Sequence, residues 1–128
     1  VHNLLFPNTR YKFIGIAEDE GNLRIVLTQP FISSTNAHPT DDEIICHLKT
    51  LGLEPDGPYF YGNEYVTVTD IGTASDNVLK GDDGELYFID PIIKLKKPAK
   101  EVIEFLINFT PKKEQLSWWK SLLKRFSR

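Results

Sequence analysis

Alternation of apolar and polar positions predicts a chain built largely from short β-strands. β-branched and aromatic residues recur at alternate positions in several runs, as they do in half-buried strands. The predicted strands cover residues 11–17, 23–29, 59–61, 65–69, 77–80 and 85–90. Short polar turns that contain glycine, at 18–22 and 81–84, join the first two and the last two of these strands. The pattern therefore predicts two or three antiparallel hairpins.

A helical pattern lies between the hairpins at residues 41–51. Thr40 and Glu43 have the spacing of a capping box, in which each side chain accepts a hydrogen bond from the other residue's amide. Apolar residues then recur at steps of three and four, and Gly52 follows where a glycine commonly ends a helix. Two C-terminal amphipathic helices are predicted at residues 98–109 and 114–128. Strands followed by helices indicate an α+β fold.

Charge divides the chain into two parts. Residues 1–93 carry 5 basic and 15 acidic side chains, a net charge of −10, whereas residues 94–128 carry 10 and 3, a net charge of +7. We therefore expect a core at 1–93 and a basic helical segment at 94–128. The apolar stripe of that segment either packs on the core or meets a membrane surface or a protein partner, and packing is its commonest use. The acidity of the core argues against a nucleic-acid partner.

Composition favours a cytoplasmic protein. The single cysteine, Cys46, cannot form an internal disulfide, and its place in the predicted helix indicates a small buried side chain. There is no apolar run of about 18 residues that would predict a membrane span, and the N-terminal residues lack the pattern of a signal peptide. The chain begins with valine and contains no methionine, so we expect further elements upstream.

Asn77 and Asp90 are the candidate metal ligands. They stand at the two outer ends of the second predicted hairpin, which brings such ends close together. Mg²⁺ prefers hard oxygen ligands and commonly takes one or two from the protein, which leaves room for phosphate oxygens. Asp70 and Asp76 lie in the loop before this hairpin. From spacing alone, Asn77 could equally be a turn residue and Asp90 a strand-end cap.

The stretch NVLKGDDGELYFIDP, residues 77–91, resembles the segment of protein kinases that follows the catalytic loop. In that family, a metal-binding Asn precedes a metal-binding Asp by thirteen positions, which is the interval from Asn77 to Asp90. Together with LFPNTRYKFIGI, the strand end LTQPFI and the capped helix, the stretch is similar to the kinase domain of bacterial polyvalent proteins. The resemblance covers about residues 4–93.

The resemblance implies a nucleotide site with a role for each part. Asn77 and Asp90 would bind Mg²⁺ that carries the phosphates of ATP. The linker that contains Gln29 and Phe31 would meet the adenine ring, and the helix at 41–51 would begin the large lobe. Asp70 is the acid nearest the position of the catalytic base, which makes it the candidate catalytic residue.

Three features depart from the family pattern. The family places its catalytic Asp five positions before the Asn, where this chain has Gly72, and Asp70 is two residues farther back. Pro91 and Ile92 follow Asp90 where eukaryotic kinases have Phe-Gly. No glycine-rich phosphate loop or strand lysine occurs in the 128 residues. We therefore expect this chain to be a poor catalyst by itself.

Two functions of different classes follow from these patterns. The chain is either part of a kinase-like protein that binds Mg²⁺ and ATP, or a noncatalytic interaction module derived from such a fold. Other chemistries have less support, because His2, His38 and His47 lack zinc-site spacing and no nucleophile motif is present. The missing phosphate loop favours the interaction module for this chain, whereas the resemblance favours kinase ancestry.

Overall fold

The computed structural model describes residues 1–34, 38–72 and 76–109. The helices are α1 (His2–Leu5), α2 (Asp41–Thr50) and α3 (Ala99–Phe109), with a 3-10 turn at Pro7–Thr9. The strands are β1 (Lys12–Asp19), β2 (Asn22–Thr28), β3 (Glu54–Pro55), β4 (Tyr61–Gly62), β5 (Val66–Thr69), β6 (Val78–Lys80), β7 (Leu86–Phe88) and β8 (Ile92–Leu95). This mixture of antiparallel strand pairs and helices confirms the predicted fold class. The helix predicted at 114–128 lies outside the described residues.

Both clearly predicted hairpins are confirmed. β1 pairs with β2, and β6 pairs with β7, each in antiparallel register. A four-stranded antiparallel sheet in the order β3-β4-β5-β8 was only partly predicted. β8 pairs with β5 from Thr69↔Ile92 to Val66↔Leu95, across the point between residues 93 and 94 where the charge pattern changes. The basic stretch therefore begins inside this sheet.

The strand predicted at residues 59–61 is wrong at its start. Tyr59 has a left-handed φ of 66°, and β4 begins only at Tyr61. The cause is a turn in which the Asp56 amide donates to the carbonyl of Phe60 at 2.8 Å. This turn takes the chain from β3 into β4.

The capping box at the start of α2 is confirmed. The Glu43 amide donates to Thr40 Oγ1 at 3.2 Å, and the Thr40 amide donates to Glu43 Oε2 at 2.9 Å. Gly52 has a φ of 73° and follows the last helical residues, as predicted. The expected burial of Cys46 is wrong, since this side chain is exposed. Ile44 and Leu48 form the buried face, and position 46 lies on the opposite side of the helix.

One hydrophobic cluster joins the helices to the sheets. Its buried members are Leu5, Phe6, Ile44, Leu48, Leu53, Tyr61, Val66, Val68, Ile71, Val78, Leu86, Phe88, Val102 and Leu106. Phe88 of β7 stacks on Phe6 with ring centroids 4.6 Å apart. α3 packs on this cluster through Val102 and Leu106. None of the helices that the structure describes is long and apolar enough to cross a membrane.

The β1–β2 hairpin is exposed on both faces. Its alternation predicted one buried face, but Leu23 and Ile25 are 77% and 71% exposed, and Phe13 and Ile16 are also exposed. The described residues therefore cover neither face, which corrects the prediction of half-buried strands. We call residues 12–28 the ribbon.

Candidate functional site

The β6–β7 hairpin places Asn77 and Asp90 at the same end. Asn77 directly precedes β6, and Asp90 follows β7 after one intervening residue. The Ile89 amide donates to the carbonyl of Asn77 at 2.9 Å and holds the two chain segments together. The acidic turn at 81–84 closes the opposite end of the hairpin. The structure thus gives the two predicted metal ligands a common location.

Asp70 lies directly beside Asn77, although six residues separate them. Asn77 Nδ2 donates to the Asp70 carbonyl at 2.9 Å and to Asp70 Oδ2 at 2.8 Å. Asp70 follows β5 with a φ of 60°, a left-handed conformation that Asp tolerates better than most residues. This backbone geometry turns Asp70 toward the hairpin. The third predicted site residue is therefore in contact with the first, despite the longer loop.

The orientation of Asn77 defines what its side chain can bind. Because Nδ2 is the donor in both contacts with Asp70, Oδ1 is the atom with the chemistry of a cation ligand. Asp90 contributes a carboxylate at the same end of the hairpin. In the described ranges, no group of three or more His, Cys, Asp or Glu residues could hold a metal ion by itself. This oxygen donor set fits Mg²⁺ that reaches the protein with phosphate oxygens.

Side chains cover the outer edge of β7 where a further strand could have paired. Asn8 Nδ2 donates to the carbonyl of Leu86 at 3.1 Å, and Thr9 Oγ1 donates to the carbonyl of Phe88 at 2.7 Å. The sequence did not predict a role for either residue. These contacts join positions 78 and 79 residues apart, so no local pattern could reveal them.

Gln29 binds the same segment just before Asp90. Its Nε2 donates to the carbonyl of Ile89 at 2.8 Å and to the carbonyl of Thr9 at 2.9 Å. The hydroxyl of Tyr11 also donates to the carbonyl of Ile89, at 3.1 Å. The side chain of Gln29 therefore connects the end of the ribbon to the end of the hairpin.

Phe31 lies near the other end of the hairpin. The linker after Gln29 runs along the hairpin, and the Asp82 amide donates to the carbonyl of Ser33 at 3.0 Å. Phe31 is 93% exposed and borders a pocket of about 240 Å³ that Asp82 and Tyr87 also line. The two linker residues singled out in the sequence thus occupy opposite ends of the hairpin. Their predicted contact with a nucleotide stays a prediction.

A larger surface pocket of about 490 Å³ adjoins Asp70. Its lining is mostly apolar and comes from residues 58–60, residues 69–72 and Ile92. Asp70 is the one charged side chain among the described residues that line it. The ring of Tyr59 lies against Gly72, where an added Cβ would approach Tyr59 Cδ1 to 2.8 Å.

An ion pair connects the start of α2 to β6. Lys80 Nζ lies 2.7 Å from Glu43 Oε1, while the other carboxylate oxygen of Glu43 completes the capping box. The hydrogen bond from Lys80 and the amide of Thr40 hold the pKa of Glu43 below its usual value. The candidate hairpin is thereby fixed to the helix as well as to the N-terminal turn.

The negative charge of Asp90 affects the pKa values of two nearby side chains, His2 and Tyr11. Burial, together with the nearby negative charge of Asp90, raises the pKa of Tyr11. Burial lowers the pKa of His2, and the charge of Asp90 partly opposes this effect. The rings of His2 and Tyr11 lie 4.3 Å apart. Tyr11 therefore stays protonated at neutral pH and remains a hydrogen-bond donor to Ile89.

The family to which the chain belongs is that of a kinase-like domain. The family of Serine/Threonine/Tyrosine Kinases found in polyvalent proteins matches residues 1–97, and the chain belongs to that family. Searches of curated proteins and of solved structures each returned no significant match. The resemblance stated from the sequence is confirmed, and the individual site residues stay predictions.

Proposed function

We propose that this kinase-like domain binds a nucleotide together with Mg²⁺ at the open end of the β6–β7 hairpin. The observation that carries the proposal is the cluster of Asp70, Asn77 and Asp90. Asn77 is held by Asp70 through two hydrogen bonds and shares the hairpin end with Asp90. Family membership independently supports a nucleotide as the ligand.

Each residue has a role that its chemistry allows. Asn77 Oδ1 and the Asp90 carboxylate would hold the metal, which neutralises charge on the phosphates when it is bound. The Asp70 carboxylate, beside Asn77, is the candidate group to orient an acceptor hydroxyl and accept its proton. The backbone of the linker that contains Gln29 and Phe31 would contact the adenine ring.

The proposal for these 128 residues is nucleotide binding. Phosphoryl transfer needs further groups on the phosphates, normally a glycine-rich loop and a lysine. The sequence contains no pattern for that loop. Transfer would therefore depend on elements supplied from outside these residues.

Titration calorimetry with Mg²⁺ and ATP tests the proposal. We expect measurable binding that weakens at least tenfold, about 1.4 kcal/mol, in Asp90→Asn, which keeps the side-chain shape and removes the charge. Glu101→Gln is the matched control, because it removes one exposed carboxylate from α3. No binding at millimolar Mg²⁺ and ATP, or equal binding by wild type and Asp90→Asn, would contradict the proposal.

A second candidate function is a noncatalytic interaction module. The exposed apolar face of the ribbon, which carries Phe13, Ile16, Leu23, Ile25 and Leu27, favours it, since exposed apolar surface commonly marks a site of association. In that case the protein would stay folded and fail to bind nucleotide. Replacing Leu23 and Ile25 with Lys would then abolish self-association or partner binding in sedimentation experiments. Nucleotide binding that persists in this variant would support the first function, whereas loss of association in a protein that never binds nucleotide would support the second. The predicted protein contact through the C-terminal helix, residues 114–128, lies outside the described residues.

A further inference from the structure

We propose that Gln29 and Tyr11 are positioning residues for Asp90, and that they act through the carbonyl oxygen of Ile89. The inference rests on the proposed function, because it assumes that Asp90 is a metal ligand. In this role the side chain of Gln29 binds the end of the hairpin. The predicted contact with adenine is made by the backbone of the linker and is separate from it.

The carbonyl of Ile89 belongs to the peptide group that leads directly into Asp90. The peptide group is planar, so the carbonyl oxygen of Ile89 and the amide and Cα of Asp90 lie in one plane. Gln29 Nε2 and the Tyr11 hydroxyl fix that oxygen from two directions, at 2.8 and 3.1 Å. Fixing the oxygen therefore restricts rotation of the plane that carries Asp90.

Gln29 and Tyr11 restrain the chain just beyond β7, where strand pairing no longer fixes the backbone. β7 ends at Phe88, and the hydrogen bond from the Ile89 amide to Asn77 comes before Asp90. Residues 89 and 90 form a bend. The orientation of the Asp90 backbone thus depends on contacts with Ile89 from outside the hairpin.

The hydrogen bonds of Gln29 orient the Ile89–Asp90 peptide, and they are not needed merely to give the two carbonyls a donor. The carbonyl of Ile89 has Tyr11 as a second donor, and the carbonyl of Thr9 has His2 Nε2 at 3.0 Å. Removing the Gln29 amide leaves each carbonyl with one donor. The loss of stability should therefore be small, while the direction of the Ile89–Asp90 peptide becomes less defined.

Comparing Mg²⁺ with Ca²⁺ separates a displaced Asp90 from a general loss of folded protein. Mg²⁺ requires nearly ideal octahedral geometry, whereas Ca²⁺ accepts variable ligand number and angle. A displaced Asp90 should weaken binding of Mg²⁺ with ATP more than binding of Ca²⁺ with ATP. A general loss of folded protein would weaken both equally.

Calorimetry on Gln29→Met, Tyr11→Phe and the double variant tests the inference. We expect each single change to weaken Mg²⁺–ATP binding by roughly 3–10-fold and Ca²⁺–ATP binding by less than about twofold. The double variant should lose more than the product of the single effects, because the Ile89 carbonyl then lacks both donors. Asn8→Ala is the matched control, since it removes a hydrogen bond from β7 at Leu86, near the turn. Equal weakening with both metals, or additive effects, would overturn the inference.

NMR makes the result independent of nucleotide binding. If the wild-type protein does not bind Mg²⁺ and ATP, the proposed function fails, but the position of Asp90 can still be measured. The amide and side-chain carboxyl resonances of Asp90 should shift more in Gln29→Met than in Asn8→Ala. Equal or absent shifts of these resonances would overturn the positioning role itself.

Discussion

Replacing Thr9 with Val would remove one hydrogen bond from the edge of the candidate hairpin while nearly keeping the side-chain volume. Thr9 is fully buried, and its hydroxyl donates to the carbonyl of Phe88 at 2.7 Å. Phe88 is also fully buried and stacks on Phe6. In the pairing register of β6 and β7, this carbonyl faces away from β6. Water therefore has little access to replace the lost donor.

The expected loss of stability follows from this environment. A buried carbonyl that loses its donor costs about 1–3 kcal/mol. The additional buried methyl group returns at most about 0.8 kcal/mol. Taken from the middle of the first range, the net loss in the free energy of unfolding for Thr9→Val is about 1 kcal/mol, which lowers the Tm by about 4 °C for a domain of this length.

Urea unfolding followed by circular dichroism measures this difference. Thr9→Ser is the informative companion, because it keeps the hydroxyl and removes only the methyl group. Thr28→Val makes the same chemical change at an exposed position at the end of β2 and should stay within about 0.5 kcal/mol of wild type. A Thr9→Val protein as stable as the Thr28→Val protein would refute the assigned role of the hydroxyl.

Two further predictions concern a glycine and a histidine. Gly62→Ala should destabilise the protein by about 1–3 kcal/mol, because the new Cβ would lie 2.8 Å from the backbone oxygen of Val66. Gly15→Ala meets nothing within 4 Å and should change the urea midpoint little; similar losses for both glycines would contradict this steric explanation. Burial lowers the pKa of His47, so the unfolded chain binds its proton more readily than the folded protein does. Stability should therefore be complete above about pH 6.5 and fall as the pH drops below it. His47→Gln should reduce the difference in urea midpoint between pH 7.5 and 5.5, and an unchanged difference would show that His47 is not responsible.

The elements that the sequence predicted well are those specified by neighbouring residues. The start of α2 depends on Thr40 and Glu43, which contact each other across three positions. The β6–β7 hairpin depends on a short turn whose glycines and acidic residues are contiguous. In both cases the interaction that fixes the element lies within the element, so a local pattern suffices.

The elements that the sequence missed depend on contacts between distant segments. β8 is a strand because it pairs with β5, with Val66 opposite Leu95. The ribbon has the alternation of a half-buried strand, yet burial depends on what covers it. No pattern within the ribbon contains that information.

The candidate site shows the same division. The proximity of Asn77 and Asp90 could be predicted from the sequence, because residues at the two outer ends of a hairpin lie close together. Asp70 was two residues too far from Asn77 for the family pattern. Its left-handed backbone brings the two into contact, and a residue count does not contain this dihedral angle. The hydrogen bond from the Tyr11 hydroxyl to the carbonyl of Ile89 joins residues 78 positions apart, so only the folded structure reveals it.

The exposed ribbon also determines how unfolding is distributed over the protein. An isolated two-stranded ribbon has marginal stability in water because it buries little apolar surface. Its backbone can therefore open at a lower free energy than the packed core. Gln29 follows the last ribbon residue, Thr28, and is bonded to the core at both Thr9 and Ile89. We therefore expect the ribbon to open and close while Gln29 and the hairpin that carries Asp90 remain folded.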